Sequence, residues 1–378
     1  MSDFTRADNS VLGRWWWTVD RLTLVSIAIL IGVGYIMMLA ASPAVAERIH
    51  ISREMFIMKQ VVFLLVASGV VVGVSMLSPR GVRLLALVGC VGALGLTAMT
   101  LVAGMEIKGA RRWVSLPGMS MQPSEFLKPC FAVVAAWLLS EGKREAILWR
   151  RMMWPAVALA IMAVIGLLLK AQPDIGMLAV LACVFVVQLF VNGLNIFVTG
   201  GAAGLLAAGA FAAYTFIGHF HDRVEGFLHP NRTDGTSQID RSMQAFGSGG
   251  LLGRGAGEGR VKDLIPDAHA DFVFAVAGEE FGLLVCSFIL VVFAFIVLRA
   301  LLRQLQERDL FVVLAVSGLA AGFGLQAWVN MASTLGLIPP KGMTLPFISY
   351  GGSSALAVAL GIGMLLALTR RRIPGEPT

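Results

Sequence analysis

The chain has 378 residues, of which 57% are hydrophobic and only 14% are charged, and its mean hydropathy is +0.80. A soluble domain carries roughly 25% charged residues, so this composition excludes a soluble globular protein and indicates a surface that faces lipid. The net charge of +7 does not indicate a nucleic-acid partner, because no basic cluster with interleaved aromatic residues accompanies it.

Apolar runs recur along the chain at lengths near those that a membrane requires, since the hydrocarbon core is spanned by roughly 20 helical residues. In chain order they cover 22–41, 56–76, 82–103, 124–139, 151–170, 175–191, 196–217, 272–298, 310–334 and 348–369. The fourth and sixth runs are short, and a tight turn at 171–174 separates the fifth from the sixth. The sequence therefore predicts an all-α integral membrane protein of about ten transmembrane helices, forming a single domain over 1–378.

The distribution of basic residues predicts the orientation of these helices. An even number of spans puts both termini on one side of the membrane, and cytoplasmic loops carry the excess of Lys and Arg. The 30 Lys and Arg residues divide equally between the two sides, but on one side they concentrate at 108–112 and in a long loop at 218–270. Discounting these clusters predicts a cytoplasmic N-terminus (1–21), a cytoplasmic tail (370–378) and an extracytoplasmic 218–270 loop.

The long loop lies between spans seven and eight and is rich in glycine and charge. Loops of this length in a compact protein are usually functional or disordered. Its glycines alternate at 253–259, a spacing that matches neither a dinucleotide fingerprint nor a phosphate-binding loop. We therefore expect a flexible loop at this position.

The first group of polar residues precedes and enters the fourth span. Its members are Arg111, Arg112, Trp113, Ser124, Glu125 and Lys128. Pro123 suits the first turn of a helix, and Ser124 and Lys128 share one face because they are four residues apart. Together the cations can surround an anion such as a pyrophosphate. Alternatively, Lys128 pairs with Glu125, and Trp113 belongs to the aromatic belt at the membrane surface.

A second group lies where the long loop re-enters the membrane. Asp271 stands at the start of span eight with His269 two residues before it, and Glu279 and Glu280 follow roughly 12 Å deeper at 1.5 Å per residue. A carboxylate at the water-accessible end, such as Asp271, can act as a general base. The two glutamates either face a cavity or pair with basic residues of neighbouring spans, since an unpaired charge in a span is costly.

A third group interrupts the last two spans. Asn330 is followed by a segment dense in proline and glycine at 339–354, which contains Lys341 and Ser353. Irregular backbone at membrane depth is tolerated only where it lines a cavity or is buried in protein. This segment is therefore expected to contribute to a site, with Lys341 as a further cation on the outer side.

The order of these motifs resembles the SEDS family (shape, elongation, division, sporulation), and the resemblance covers nearly the whole chain. The matching segments are Gly109–Lys128, Gln172-Pro173-Asp174, Gln244–Lys262, His269-Ala270-Asp271-Phe272, Gly278-Glu279-Glu280 and Lys341–Ser354. The N-terminal segment Arg14–Arg21 is similar to that of the FtsW cell-division branch rather than the RodA elongation branch.

The resemblance implies a peptidoglycan glycosyltransferase that polymerises undecaprenyl-linked lipid II at the outer face of the bacterial inner membrane, at the division septum. The implied partners are a class B penicillin-binding protein and other divisome membrane proteins. The catalytic aspartate of the family falls on Asp271. The residues predicted to bind substrate are Arg111, Arg112, Trp113, Ser124, Glu125, Lys128, Asp174, Gln244, His269, Lys341 and Ser353, with Glu279, Glu280 and Asn330 in supporting roles.

Two other functions fit some of the same residues. Buried acids and broken spans are also used by transporters, so a lipid II flippase is the main alternative. A non-catalytic scaffold for the penicillin-binding protein is the other, although it would leave many polar residues in the membrane without a role. The acidic residues also leave open a divalent cation, Mg²⁺ or Mn²⁺, as a cofactor.

Overall fold

The computed structural model describes residues 10–48, 53–107, 110–116, 119–193, 196–216, 218–228 and 238–371, and long helices account for most of them. In chain order the elements are α1 (Val11–Thr18), α2 (Arg21–Arg48), α3 (Arg53–Ser75), α4 (Pro79–Ala103), β1 (Met105–Ile107), β2 (Ala110–Leu116), β3 (Met119–Met121), α5 (Ser124–Arg144), α6 (Leu148–Ala171), α7 (Ile175–Val191), α8 (Ile196–Phe216), α9 (Gly218–Leu228), α10 (Gln238–Gly249), a 3₁₀ turn (Val261–Leu264), α11 (Val273–Gln304), α12 (Leu310–Thr334) and α13 (Gly352–Thr369).

Helices α2–α8 and α11–α13 cover the ten apolar runs, so the predicted helical membrane protein is confirmed. Seven of them are long and apolar enough to cross a membrane, namely α2, α3, α4, α6, α11, α12 and α13. That α5, α7 and α8 also cross stays a prediction. The last helix begins at Gly352 instead of the predicted 348, because the chain turns at Phe347 with a φ of 62° that a helix does not permit.

Helix α5 lies at the centre of the bundle, where it packs against α4, α6, α7, α12 and α13. Every residue from Leu127 to Ala136 is buried. A helix that is covered on all sides has no lipid-facing stripe. Helix α5 can therefore carry charged residues in its first and last turns, because neighbouring helices surround it instead of lipid.

A small sheet in the segment between α4 and α5 corrects the all-α prediction. Strands β1, β2 and β3 form an antiparallel sheet, with Glu106 opposite Arg111 and Ser115 opposite Ser120. The connecting residues 108–109 and 117–118 lie outside the described residues. The strands have only three to seven residues, so the alternation of apolar and polar side chains that indicates a strand is too short to be recognised between long apolar runs.

The glycine-rich part of the long loop is ordered, so its interpretation as a flexible loop is wrong. It inserts into a break in α11 at Gly282, whose φ of 76° is open to glycine but strained for other residues. The amides of Arg254 and Gly255 donate to the carbonyls of Glu279 and Glu280 at 3.0 Å, and the amide of Leu283 donates to Gly250. The loop thus satisfies backbone groups that the broken helix leaves without helical partners.

Residues near the two ends of the described chain, Thr18 and Arg371, meet at one end of the bundle, which is the end nearer the termini. The amide of Arg371 donates to the carbonyl of Thr18 at 3.0 Å, and the buried carboxylate of Asp20 accepts from Arg299 at 2.7 and 2.8 Å. Arg299 lies near the C-terminal end of α11, whereas Asp271 immediately precedes its N-terminal end. The Asp271 region is therefore at the end of the bundle opposite the termini.

Candidate functional site

A cavity of about 570 Å³ lies at the end of the bundle opposite the termini. Its walls come from α3, strand β2, the first turns of α5 and α7, the segment 267–271, and the segment 341–354. Seven of the residues predicted from the sequence line it: Arg112, Trp113, Glu125, Asp174, Asp271, Lys341 and Ser353. The fold thus brings together residues as far apart in the chain as Arg112 and Ser353.

Two hydrogen bonds fix the backbone of Asp271, one through its amide and one through its carbonyl. Its amide donates to the carbonyl of Asp267 at 3.1 Å, and its own carbonyl accepts from Asn330 Nδ2 at 2.9 Å. The carboxylate lies against Gly342, where a Cβ would come within 3.3 Å of Asp271 Oδ2. Gly342 has a φ of 61°, so glycine both permits this turn and leaves room for the acid. The carboxylate is half-buried on the cavity wall.

The segment before Asp271 is bonded to the segment that follows Lys341. Asn330 Nδ2 also donates to Met343 O at 2.6 Å, so this buried amide holds both segments. Ser349 Oγ donates to Ala270 O at 2.5 Å, and the amide of Tyr350 donates to His269 O at 2.9 Å. These contacts place Asn330 between two segments of the cavity wall, and its supporting role in the reaction stays a prediction.

His269 packs behind the cavity and does not line it. Its ring lies 5.4 Å from the ring of Tyr350, which does line the cavity. Burial lowers the pKa of His269 to about 4, against a smaller opposing effect of Asp267. The imidazole is therefore neutral at pH 7, and it carries no charge that would attract an anionic substrate.

Arg112 lines the cavity and binds the turn between α6 and α7. Its guanidinium donates to Gln172 O at 2.7 Å and to Pro173 O at 2.6 Å, and it lies 3.5 Å from Asp174 Oδ2. Asp174 also accepts from the amide of Met177 and so caps α7. Arg112 thus connects strand β2 to the turn between α6 and α7, so that these two distant segments form one wall of the cavity.

Glu125 and Lys128 form the pair that the simpler interpretation predicts. Lys128 Nζ lies 2.8 Å from Glu125 Oε2 and 2.5 Å from Gln326 Oε1. Gln326 in turn donates to Thr344 O at 3.0 Å, in the segment that lines the cavity. The Lys128 side chain is only 8% exposed and lies below the cavity lining. It supports the wall instead of reaching into the cavity.

Three further predicted substrate residues lie outside the lining. Arg111 is exposed, and its guanidinium pairs with Glu106 at 3.3 Å across the sheet because the side chains of β2 alternate between its two faces. Ser124 is fully buried and accepts from Gln122 at 3.1 Å. Gln244 is exposed on α10, away from the cavity.

Glu279 and Glu280 are buried, but their partners come from the long loop and not from neighbouring spans. Glu279 accepts from the amides of Arg260, Val261 and Lys262 at 2.8–2.9 Å. Glu280 accepts from the amide of Gly257 and forms an ion pair with the ammonium of Lys262, which also donates to a carbonyl of α2 at 2.8 Å. The alternative that these acids face a cavity is therefore wrong, and their supporting role stays a prediction.

Several residues of the lining were not identified from the sequence. They include Lys59, Phe63, Gln122, Asp267, Thr344 and Tyr350. Lys59 had a detectable signal, since it is an ionisable residue inside the predicted second span. The other five residues have no feature in the sequence that indicates a site, because only the fold places them at the cavity.

The described residues contain no group of three or more His, Cys, Asp or Glu side chains that could hold a metal ion. The acids of the lining instead have protein partners, as with Glu125 and Lys128 or Asp174 and Arg112. The residues described do not fit a metal site of protein ligands alone.

Comparison with known proteins gives consistent matches over most of the chain. The family model described as "Cell cycle protein", which covers FtsW, RodA and SpoVE, matches residues 20–373. A probable peptidoglycan glycosyltransferase FtsW of Caulobacter vibrioides is 40% identical over 376 residues, which cover 98% of this chain and 94% of the relative. Its counterpart from Trichlorobacter lovleyi is 34% identical and covers 93% of both chains.

Solved structures share the fold. A chain from a peptidoglycan synthase complex that coordinates polymerization and crosslinking superposes with a TM-score of 0.76 at 27% identity, covering 94% of this chain and 98% of that chain. The rod shape determining protein RodA of Thermus thermophilus superposes with a TM-score of 0.69 at 28% identity, covering 94% and 97%.

Proposed function

The chain belongs to the FtsW, RodA and SpoVE family of cell cycle proteins, and from this membership we infer that it is a peptidoglycan glycosyltransferase of the FtsW branch. It polymerises lipid II into glycan strands at the outer face of the bacterial inner membrane, during cell division. The single observation that carries the proposal at the level of residues is the Asp271 carboxylate on the wall of a 570 Å³ cavity. Ligand cavities are typically about 300–1,000 Å³.

In the proposed reaction, Asp271 is the general base of an inverting glycosyl transfer. The 4-hydroxyl oxygen of the acceptor sugar attacks C1 of the donor sugar, and its proton passes to the Asp271 carboxylate. The bond between C1 and the pyrophosphate oxygen breaks, and its electron pair leaves with undecaprenyl pyrophosphate. The fixed backbone of Asp271 supports this role, because a base must be held in position before the reaction.

The remaining lining residues bind and orient the two lipid-linked sugars. Lys341 and Arg112 supply positive charge, although the forked contacts of Arg112 to Gln172 and Pro173 make its main task the support of the wall. Trp113 and Ser353 contact sugar, and Asp174 fixes α7. Lys128 stabilises the wall from below through its contacts to Gln326 and to Glu125, which lines the cavity. No step of the reaction is assigned to a metal ion.

The proposed arrangement has ten spans, cytoplasmic termini, and the cavity on the extracytoplasmic side, at the division septum. The partner is a class B penicillin-binding protein, accompanied by other divisome membrane proteins. Support comes from the similar chain in a peptidoglycan synthase complex and from the position of the cavity at the end of the bundle opposite the termini. Substrate enters from the bilayer, because both sugars are attached to lipids.

The test is polymerisation by the purified chain together with its penicillin-binding partner, given labelled lipid II in detergent. Detergent removes the sidedness of a membrane, so only covalent chemistry can produce a signal. A glycosyltransferase gives glycan strands whose length grows with time. Absence of polymer from the monodisperse complex, combined with movement of lipid II across the bilayer of proteoliposomes, contradicts the proposal and favours a flippase.

A further inference from the structure

We propose that Lys59 is a further substrate-binding residue, and that its ammonium contacts the pyrophosphate of the lipid-linked donor. The inference rests on the proposed function, since it names a cation for the leaving group of that reaction. The glycosyl transfer releases the pyrophosphate with an additional negative charge, and groups that stabilise such charge must already face it in the cavity.

The cations that the sequence suggested for this task are largely engaged by protein groups. The guanidinium of Arg111 pairs with Glu106 on the exposed side of the sheet. Lys128 is buried between Glu125 and Gln326. Arg112 lines the cavity, but its fork donates to two backbone carbonyls of the α6–α7 turn. The lining also contains four acids, Glu125, Asp174, Asp267 and Asp271, which repel an anionic substrate unless cations offset them.

Lys59 has the position that this task requires. It lies on α3, its side chain is exposed, and it lines the cavity. Phe63, one helical turn later, packs its ring beneath Gly352 at the start of α13, and Gln60 Nε2 lies 3.4 Å from Ser349 O. Ser349 in turn bonds to Ala270, the neighbour of Asp271. Lys59 therefore lies beside the segment that holds the proposed base.

The chemistry of Lys59 also differs from that of Arg112, the arginine of the lining. Among the residues that the structure describes, Lys59 has no hydrogen-bond or ion-pair partner. An ammonium on a flexible stem can follow the movement of a leaving group, whereas an arginine fork is fixed by its acceptors. A lysine near the end of a span often extends toward lipid head groups, but Lys59 faces the cavity instead.

The test compares four forms of the full chain in complex with its partner: wild type, Lys59→Met, Lys59→Arg and Arg260→Met. Arg260 is the matched control, because its side chain is exposed and does not line the cavity. Loss of one charge-assisted contact lowers kcat/KM for lipid II about 10- to 100-fold in Lys59→Met. Lys59→Arg and Arg260→Met retain values close to wild type. Inhibition by undecaprenyl pyrophosphate weakens by a similar factor in Lys59→Met only.

Two results overturn the assignment of Lys59. One is a Lys59→Met complex that polymerises lipid II at the wild-type rate, and the other is unchanged inhibition by undecaprenyl pyrophosphate. Lys59→Gln replaces Lys59→Met if the latter is not monodisperse. Failure of this assignment can be distinguished from failure of the proposed function. Binding of undecaprenyl pyrophosphate by the uncomplexed chains can be measured without turnover. If wild type makes no polymer yet binds this lipid more tightly than Lys59→Met, only the proposed function is lost.

Discussion

Asp271 and Arg112 both line the cavity, but their surroundings give them different tasks. The backbone of Asp271 bonds to Asp267 and Asn330, and its carboxylate lies against Gly342 on the cavity wall. The guanidinium of Arg112, in contrast, donates to carbonyls 60 and 61 positions away. Sequence motifs identified both residues, yet spacing alone could not distinguish a proposed base from a residue that supports the wall, because these partners come from remote segments.

Arg112→Lys tests this supporting role. A lysine cannot reproduce two parallel contacts to Gln172 O and Pro173 O, so we expect lower polymerisation and a free energy of unfolding that falls by about 1–3 kcal/mol. Polymer yield and thermal unfolding of the purified chain measure the two effects. Arg111→Lys is the matched control, since Arg111 is exposed and should tolerate the change. Equal behaviour of Arg112→Lys and wild type would show that the fork is dispensable.

Among the elements, the long helices could be predicted from apolar runs, because a run of apolar residues in the local sequence is sufficient to indicate a helix that is buried or contacts lipid. The three strands, the helices α9 and α10, and the break at Gly282 could not. Each depends on contacts with a distant segment. The glycines at 253–259 illustrate this limit, since their pattern suggested flexibility whereas the backbone groups of a broken helix hold the loop in place.

Lys262 tests how strongly the loop is attached to α11. Its ammonium pairs with Glu280, and both side chains are almost fully buried. Lys262→Met leaves a buried carboxylate without its cation, a change that typically costs about 3–5 kcal/mol. We expect a lower unfolding midpoint and faster proteolysis within 250–262. The double variant Lys262→Met/Glu280→Gln has no unpaired charge and should recover most of the stability. A single variant as stable as the double one would contradict the importance of this pair.

For the whole molecule, the structure explains why the count of basic residues left the orientation undecided. Residues near the two ends of the described chain meet at one end of the bundle, and the cavity lies at the other. Cations near the cavity end of the bundle, such as Arg112, Lys128 and Lys262, bind protein groups, and the count of basic residues does not consider such internal partners. Orientation rules assume that basic residues interact mainly with water and lipid, so internal partners weaken them.

Cysteine labelling tests the proposed orientation. Ser115 is exposed on β2 near the cavity, and Gln306 is exposed at the end that holds the termini. In intact spheroplasts, an impermeant thiol reagent should label Ser115→Cys, whereas Gln306→Cys should react only after lysis. The wild-type chain is the control, because Cys90, Cys130 and Cys286 are buried and Cys183 is half-buried. The opposite labelling pattern would reverse the orientation and place the cavity in the cytoplasm.

The measurement that tests the central claim most directly is lipid II polymerisation by the Asp271→Asn complex. Asparagine preserves the size of the side chain but cannot accept a proton at neutral pH, and loss of a positioned base costs about 10²–10⁴-fold in rate. Asp263→Asn is the control, since Asp263 is exposed in the same segment and outside the cavity. The account predicts a monodisperse Asp271→Asn complex that still binds its partner and makes no detectable glycan, whereas Asp263→Asn remains active. Wild-type polymerisation by Asp271→Asn would contradict it.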